Sequence, residues 1–218
     1  MVEVKPPALD AATRALVSVA AAIANGNEAR LRERMVTARA AGVPGPWVEE
    51  LLLQSLLNVG YPLTLVAFGV WRDLSGSGAG QHAGEALSHA DWETWAARGR
   101  EACGKVYGRT YHQLLLNLRS LHPALEALVV VDAYGKVIGR PGLDLKRREL
   151  CNVATIAGLN ASRQLTAHLR GALNTGSSTD EVDEVLALVE QDLDAGQALR
   201  VWELWAEVRG RASLGPTG

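Results

Sequence analysis

The sequence contains little cysteine and carries little net charge. Its two cysteines, Cys103 and Cys151, lie far apart among 218 residues and form no CxxC motif. This excludes a vicinal dithiol site and a disulfide framework, and it favours a reduced, cytoplasmic protein. The formal net charge is −2, with acidic and basic residues mixed along the chain. Such a balance argues against a nucleic-acid partner and against an anionic membrane surface.

The chain also lacks long apolar runs and the features of a secretory leader. No apolar stretch approaches the roughly 18 to 20 residues that cross a bilayer, so we predict no membrane partner. Residues 15–24 are apolar and lie near the N-terminus, but no basic region precedes them as in a signal peptide. They align with the internal segment 149–158, which favours a core helix.

Motifs that bind cofactors or metals are missing as well. Residues 75–80 read Ser-Gly-Ser-Gly-Ala-Gly, but no strand precedes them and the G-x-G-x-x-G spacing of dinucleotide sites is absent. Their composition is typical of a flexible linker. His82 and His89 lie in or near this stretch without a third metal ligand. We therefore expect no cofactor and no metal site.

What the sequence does contain is an internal repeat. Residues 9–52 align without a gap on residues 143–186, with about a dozen identities in roughly 44 pairs, as expected of a duplicated structural unit. The identical pairs include Leu9 and Leu143, Asp10 and Asp144, Arg14 and Arg148, Gly42 and Gly176, and Glu50 and Glu184.

The two copies differ at two positions that are suited to proton chemistry. The second copy carries Glu149 and His168, whereas the first has Ala15 and Arg34 there. Because a carboxylate and an imidazole can move a proton near neutral pH, we predict a site in the second copy only. Each residue has a structural alternative: Glu149 near a helix start can favour the helix dipole, and His168 beside an apolar stripe can be packed without a function.

Both copies are predicted to be helical. Asp144 is a suitable N-cap for a helix with apolar residues at helical spacing, and residues 178–181 (Ser-Thr-Asp-Glu) form a capping box that begins another. The first copy follows the same plan, and Gly-Tyr-Pro at 60–62 separates its third helix from a fourth, which runs from residue 63 to about 71. The one β-like run, 128–132, is short. The predicted fold class is therefore all-α.

We predict three segments along the chain. The first repeat covers residues 1–74, and the second covers 123–210. Between them, residues 75–122 form the glycine- and serine-rich linker and a helical insert with helices at 91–107 and 111–121.

The order of motifs resembles that of a known family. In the second copy the motif residues are Arg140-Pro-Gly-Leu-Asp144, Arg148, His168, Asn174-Thr-Gly176 and Glu181-Val-Asp-Glu184-Val-Leu. With 48–54 and 58–62 of the first copy, they resemble the carboxymuconolactone decarboxylase family, whose superfamily includes the alkylhydroperoxidase D type. The resemblance covers most of the chain. It implies an all-α, alkylhydroperoxidase D-like helical bundle of two tandem pseudo-symmetric repeats.

The resemblance also implies a function. It points to a cofactor-independent lyase that removes carbon dioxide from a small carboxylated lactone or related acid. His168 would be the acid and base, and Glu149 its partner. Arg148, Arg140 and Tyr134 would bind the substrate, because a planar guanidinium group takes a carboxylate bidentately. Self-association is implied too, with a homotrimer or a higher oligomer as the first expectation.

The substrate-binding residues have structural alternatives. Arg148 has a counterpart in Arg14, which suggests a salt bridge common to both copies. Arg140 and Tyr134 fall in a predicted turn, and anchoring of that turn is their alternative role.

Two other functions stay open at this point. The spacing of the Glu–His pair fits the alkylhydroperoxidase D class, but the positions of its two thiols hold Ala161 and Gln164. Such a peroxidase needs a thiolate of low pKa and a resolving thiol. It would have to use Cys103 or Cys151 here, and Cys151 lies roughly 200° from Glu149 around the predicted helix. The third alternative is a non-catalytic oligomeric scaffold.

Overall fold

The computed structural model describes residues 6–76, 87 and 91–213, which form helices with no strand among them. The helices are α1 Ala11–Asn25, α2 Glu28–Ala40, α3 Gly45–Ser75, α4 Trp92–Tyr107, α5 Tyr111–Leu121, α6 Leu125–Ala127, α7 Leu145–Gly158, α8 Ser162–Asn174, α9 Thr179–Glu190 and α10 Ala195–Ser213. A 3-10 turn, Gly108–Thr110, joins α4 to α5, and a π-helix, Leu128–Ile138, continues α6. The predicted all-α fold class is confirmed.

The β-like run 128–132 lies inside the π-helix, because its valines pack against α4 and not against a neighbouring strand. His82, His89 and most of the glycine-rich stretch 75–80 lie outside the described residues.

The helix starts follow from local side-chain chemistry. Asp10, Asn27 and Asp144 each accept a hydrogen bond from the backbone N–H three residues later. Ser178 and Glu181 form a complete capping box at the start of α9. These bonds satisfy amide donors that have no partner inside the helix. The predicted N-cap Asp144 and the predicted capping box at 178–181 are confirmed.

The duplicated sequence produces duplicated structure. At one constant offset, α1 corresponds to α7, α2 to α8, the first half of α3 to α9, and its second half to α10. The turns correspond as well. Gly26 and Asn160 both have positive φ, at 71° and 56°, and so do Gly42 and Gly176, at 74° and 94°.

Helix α3 is broken where the sequence analysis expected it. Gly60 has φ 73° and ψ 177°, and Pro62 follows it. Although no long apolar run was expected, the 31-residue helix Gly45–Ser75 is apolar and long enough to cross a membrane by length and composition. The difference arises because two shorter helices are merged across the kink at Gly60. Each half is shorter than the roughly 20 residues that a spanning helix needs.

The two repeats share one hydrophobic core. Helices α1 and α7 lie side by side at its centre, and the equivalent residues Leu16 and Leu150 have no exposed surface. The apolar stretch 15–24 is therefore a core helix, as predicted. Because each repeat packs its apolar face against the other copy, the two form a single folded unit.

The insert forms a second layer over α8. Helix α4 packs tightly on the π-helix and also contacts α8. A Cβ atom on Gly99 would lie 1.9 Å from the Val130 carbonyl oxygen, and one on Gly135 would lie 2.2 Å from the Trp95 carbonyl oxygen. Glycine is therefore required at both positions. Residues 125–138, which the sequence analysis placed in the second repeat, pack mainly with the insert in this structure.

Candidate functional site

Glu149 on α7 and His168 on α8 meet inside the protein. The His168 Nδ1 atom lies 2.8 Å from Glu149 Oε2. The Glu149 side chain has no exposed surface, and the His168 side chain is 15% exposed. Asn160, with its positive φ, turns the chain between the two helices. This turn brings together two side chains that lie far apart in sequence.

The Glu149 carboxylate is fully supported by neighbouring groups. Its second oxygen, Oε1, accepts a hydrogen bond of 3.0 Å from Asn152 Nδ2. Gly171 on α8 leaves the space, since a Cβ atom there would lie 2.4 Å from Glu149 Oε2 and 2.9 Å from Val106 Cγ1. A buried carboxylate is tolerated only when its oxygens have partners. Asn152, His168 and Gly171 therefore accommodate the buried Glu149 carboxylate.

Neutral groups from α4 and the π-helix lie near the Glu149 carboxylate. Tyr107 and Tyr134 share a hydrogen bond, and their ring centroids lie 6.1 Å apart. Burial raises the pKa of Tyr107 to about 12 and that of Tyr134 well above its usual range. Burial, and then the negative charge of Glu149, raises the pKa of Cys103 to about 12. These groups stay protonated near neutral pH, and the Glu149 side chain beside them has no exposed surface.

Tyr134 is therefore near the Glu149–His168 pair. It does not lie in a turn, although a turn was predicted from the sequence. It belongs to the π-helix and is 5% exposed. The next residue, Gly135, fits directly against the α4 backbone, and this contact keeps the segment helical. The phenol consequently forms a wall of the site in this structure.

A chain of buried amides connects the pair to the first repeat. Asn152 Oδ1 accepts hydrogen bonds from Gln54 Nε2 at 2.8 Å and from Asn58 Nδ2 at 3.0 Å. Gln54 Nε2 also donates to the Arg148 carbonyl oxygen at 2.9 Å. The sequence analysis assigned no role to these three amides. Asn152 had a usable signal, since it lies one helical turn after Glu149 in an otherwise apolar stretch.

Arg148 and Arg140 are placed differently from the expectation. Arg148 has no exposed surface, and its Nη2 atom donates to Glu50 Oε2 at 2.7 Å. Its Nε atom donates to the Leu143 carbonyl oxygen at 3.1 Å. Arg140 Nε lies 3.2 and 3.3 Å from the two Glu50 oxygens. Both guanidinium groups therefore lie against Glu50 in the interior, whereas a substrate carboxylate would need an accessible anchor.

The Arg148 ion pair has a symmetric counterpart. Arg14 pairs with Glu184, and these residues occupy the positions equivalent to Arg148 and Glu50. Each pair joins the arginine of one repeat to the glutamate of the other. The surroundings differ, because Arg148 is fully buried while the Arg14 side chain is 38% exposed. The salt bridge common to both copies, which the sequence analysis gave as the alternative role of Arg148, is present.

The first repeat has no Glu–His pair at the equivalent positions. Ala15 on α1 and Arg34 on α2 occupy the positions of Glu149 and His168. Ser18, at the position of Asn152, donates to the Arg14 carbonyl oxygen at 3.1 Å. The asymmetry seen in the sequence is therefore an asymmetry of the folded repeats.

The two cysteines are buried separately. Both have no exposed surface. Cys151 lies in the main core with α1, and burial raises its pKa to about 12. Cys103 belongs to the small cluster of the insert. As predicted, Cys151 points away from Glu149.

A cavity of about 570 Å³ lies next to the site. It opens to solvent between the end of α4, α5, α8 and α10, and its lining includes Val106, Tyr107 and Arg170 but neither His168 nor Glu149. The pair thus lies beside this cavity and not in its wall. The exposed edge of His168 is where a substrate would reach the pair.

Comparisons with known proteins give a consistent result. A family model described as the carboxymuconolactone decarboxylase family matches residues 1–73 and 126–207, which is more than half of the chain. The chain is 30% identical over 90 residues to 4-carboxymuconolactone decarboxylase of Acinetobacter baylyi, covering 41% of this chain and 67% of that protein. It is 39% identical over 61 residues to nitrosuccinic acid decarboxylase npaB of Metarhizium robertsii, covering 28% and 43%.

A third relative matches a longer segment. Peroxisomal protein 2 of Schizosaccharomyces pombe is 27% identical over 139 residues, covering 63% of this chain and 64% of that protein. The chain therefore spans about two thirds or less of the length of each of these relatives.

Proposed function

Because this chain belongs to the carboxymuconolactone decarboxylase family, we propose that it is a lyase that removes carbon dioxide from a small carboxylated lactone or a related acid. Two of the relatives are named decarboxylases, of 4-carboxymuconolactone and of nitrosuccinic acid. Both names describe small carboxylated molecules. His168 is the proposed proton donor, and Glu149 is its partner.

The observation that carries this proposal is the contact between the two side chains. A fully buried carboxylate lies 2.8 Å from the Nδ1 atom of a histidine that keeps a small exposed surface. With Nδ1–H donating to Glu149, the ring is held in one orientation. The second ring nitrogen, Nε2, is then available to exchange a proton with a substrate.

The proposed reaction balances without a further reactant. The carbon–carbon bond to the carboxylate breaks, carbon dioxide leaves, and the electron pair remains on the carbon. The conjugated carbonyl of the substrate delocalises that pair. His168 Nε2–H then transfers its proton to the carbon, and a new carbon–hydrogen bond forms. After the product leaves, solvent returns a proton to Nε2 at the exposed edge of the ring.

The buried arginines have a supporting role in this proposal. Arg148 and Arg140 fix Glu50, and Arg148 holds Gln54, whose amide contacts Asn152. Asn152 in turn fixes the Glu149 carboxylate. In this proposal the buried network positions the Glu149–His168 pair through Asn152, and its arginines do not contact the substrate.

Self-association belongs to the same proposal, with a homotrimer or a higher oligomer as its form. Large apolar side chains are exposed on the second half of α3, where Tyr61 is 67% and Leu65 64% exposed. On α5, Leu116 is 56% and Leu121 75% exposed. Large exposed apolar side chains, where they cluster, are typical of subunit contacts.

The proposed activity can be tested directly. The protein is incubated in D₂O with a panel of small carboxylated lactones and dicarboxylic acids, and released carbon dioxide is measured. We expect turnover of at least one lactone acid, with one deuterium at the carbon that lost the carboxylate. Peroxide consumption without carbon dioxide release would contradict the lyase proposal and favour a peroxidase.

The cysteines are expected to be inert. Both thiols have a pKa of about 12 and no exposed surface, so the reactive thiolate is scarce below that pH. Labelling of the native protein with iodoacetamide should stay slow from pH 7 to 10 and become fast only in denaturant. A Cys103→Ser/Cys151→Ala double variant that remains folded should keep its lyase turnover. Rapid labelling at pH 7 would restore the thiol mechanism.

A further inference from the structure

The cavity next to the site has an unusual charge. Its arginines come from three separate elements: Arg109 from the 3-10 turn after α4, Arg170 from α8 and Arg211 from α10. No aspartate or glutamate is among its lining residues. For a protein with a net charge of −2, three cations and no acid around one cavity is a local feature and does not reflect the composition.

These arginines also differ from most others in the chain. Many arginines form ion pairs: Arg14 with Glu184, Arg30 with Asp192, Arg32 with Asp73, Arg72 with Glu49, Arg119 with Glu126, and Arg147 with Asp10 and Asp144. Within the described part of the chain, Arg109 and Arg170 have no such ion pair. Arg211 has only a long contact of 3.9 Å with Glu207, and both side chains are largely exposed.

The other walls of the cavity define what could bind. Amide side chains at Gln113, Asn117 and Asn174 lie among the arginines, and Leu114 and Leu173 provide apolar surface. Guanidinium groups take carboxylates bidentately, and amides add neutral hydrogen bonds. A cavity of about 570 Å³ fits a small organic molecule. Arginine, amide and leucine side chains together suit a compact ligand that carries two carboxylates on a hydrocarbon framework.

We propose that this cavity is a binding site for a small organic dicarboxylate, separate from the His168–Glu149 pair. The ligand would bridge Arg109, Arg170 and Arg211 and so connect α4, α8 and α10. Helices α4 and α8 are already joined on this side, where Asn174 Nδ2 donates to the Val106 carbonyl oxygen at 2.8 Å. A bound dicarboxylate would stabilise this contact between α4 and α8. Glu149 lies near the same contact, against Gly171 of α8.

Calorimetric titration of the full protein with isophthalate tests the proposal. Isophthalate is a rigid aromatic dicarboxylate, and isophthalamide is its neutral control. We expect saturable binding of isophthalate with one site per chain and none of isophthalamide. Arg109→Gln and Arg170→Gln should each weaken isophthalate binding by tenfold or more. Arg200→Gln, an exposed arginine on α10 outside the cavity, should leave the affinity unchanged.

Two other measurements make the test decisive. A His168→Gln variant should bind isophthalate with unaltered affinity, whatever its turnover. Loss of binding in that variant would place the ligand at the proton-transfer pair and overturn a separate site. Equal binding by Arg109→Gln, Arg170→Gln and the unmodified protein, or equally tight binding of inorganic phosphate, would also overturn the proposal.

Discussion

A His168→Gln variant is expected to lose roughly 10²- to 10⁴-fold in kcat, the usual contribution of a positioned acid or base. Glutamine can still donate a hydrogen bond to Glu149, but its amide cannot deliver a proton to a carbon. The side chain is 15% exposed, so the free energy of unfolding should change little. The measurement is the rate of carbon dioxide release from the substrate found in the lactone panel, together with denaturant unfolding.

The duplicated fold provides a matched control for this variant. Arg34 occupies the position of His168 in the first repeat, and Arg34→Gln should leave kcat unchanged. Glu149→Gln should lower kcat as well, because the His168 ring then loses the carboxylate that fixes its orientation. If His168→Gln turns over at the normal rate, His168 is not the proton donor. If it unfolds the protein and no substrate is ever turned over, the scaffold function is favoured.

Much of the fold could be predicted because its signals are local. The capping residues Asp10, Asp144 and Ser178 act on amides within one helical turn, so sequence spacing alone reveals them. The broken helix at Gly60 was predictable for the same reason. The repeat then reduced the number of arrangements, since the second copy had to follow the helices of the first.

The proton-transfer pair could be predicted only in part. The difference between the copies identified Glu149 and His168, and their distance of 2.8 Å agrees with that prediction. Their surroundings come from the insert, whose position over α8 depends on Gly99 and Gly135 fitting a neighbouring backbone. Such contacts depend on the whole packed structure and leave no local spacing in the sequence. For this reason Tyr134 was predicted in a turn, whereas it lies in the π-helix.

The partner of Arg148 was missed although its signal was present. Glu50 and Glu184 are identical in the alignment, as are Arg14 and Arg148. Two arginines and two glutamates can pair within each copy or between copies, and the alignment does not distinguish these arrangements. The structure shows pairing between copies. This arrangement ties the two repeats to each other at two symmetric points.

An Arg148→Met variant is expected to lose roughly 3 kcal/mol of unfolding free energy, near the lower end of the effect of breaking a buried ion pair. The Glu50 carboxylate would lose its 2.7 Å partner in a place where water cannot replace it. Arg140 still contacts Glu50, and this remaining contact limits the cost. Unfolding in urea, followed by circular dichroism, measures the change at pH 7.

The symmetric pair again supplies the control. Arg14→Met removes the equivalent arginine, but that side chain is 38% exposed. Glu184 Oε2 also keeps its hydrogen bonds from the backbone N–H groups of Ala8 and Leu9, so the cost should be smaller, about 1 kcal/mol. Adding Glu50→Gln to Arg148→Met should deepen the loss, because the buried Arg140 guanidinium then also loses its contact with the Glu50 carboxylate. Equal losses in Arg148→Met and Arg14→Met would show that burial does not distinguish the two pairs. The arginine–glutamate pair would then contribute equally to the free energy of unfolding in both copies. The buried network around Arg148 would add no stability beyond that of the exposed pair.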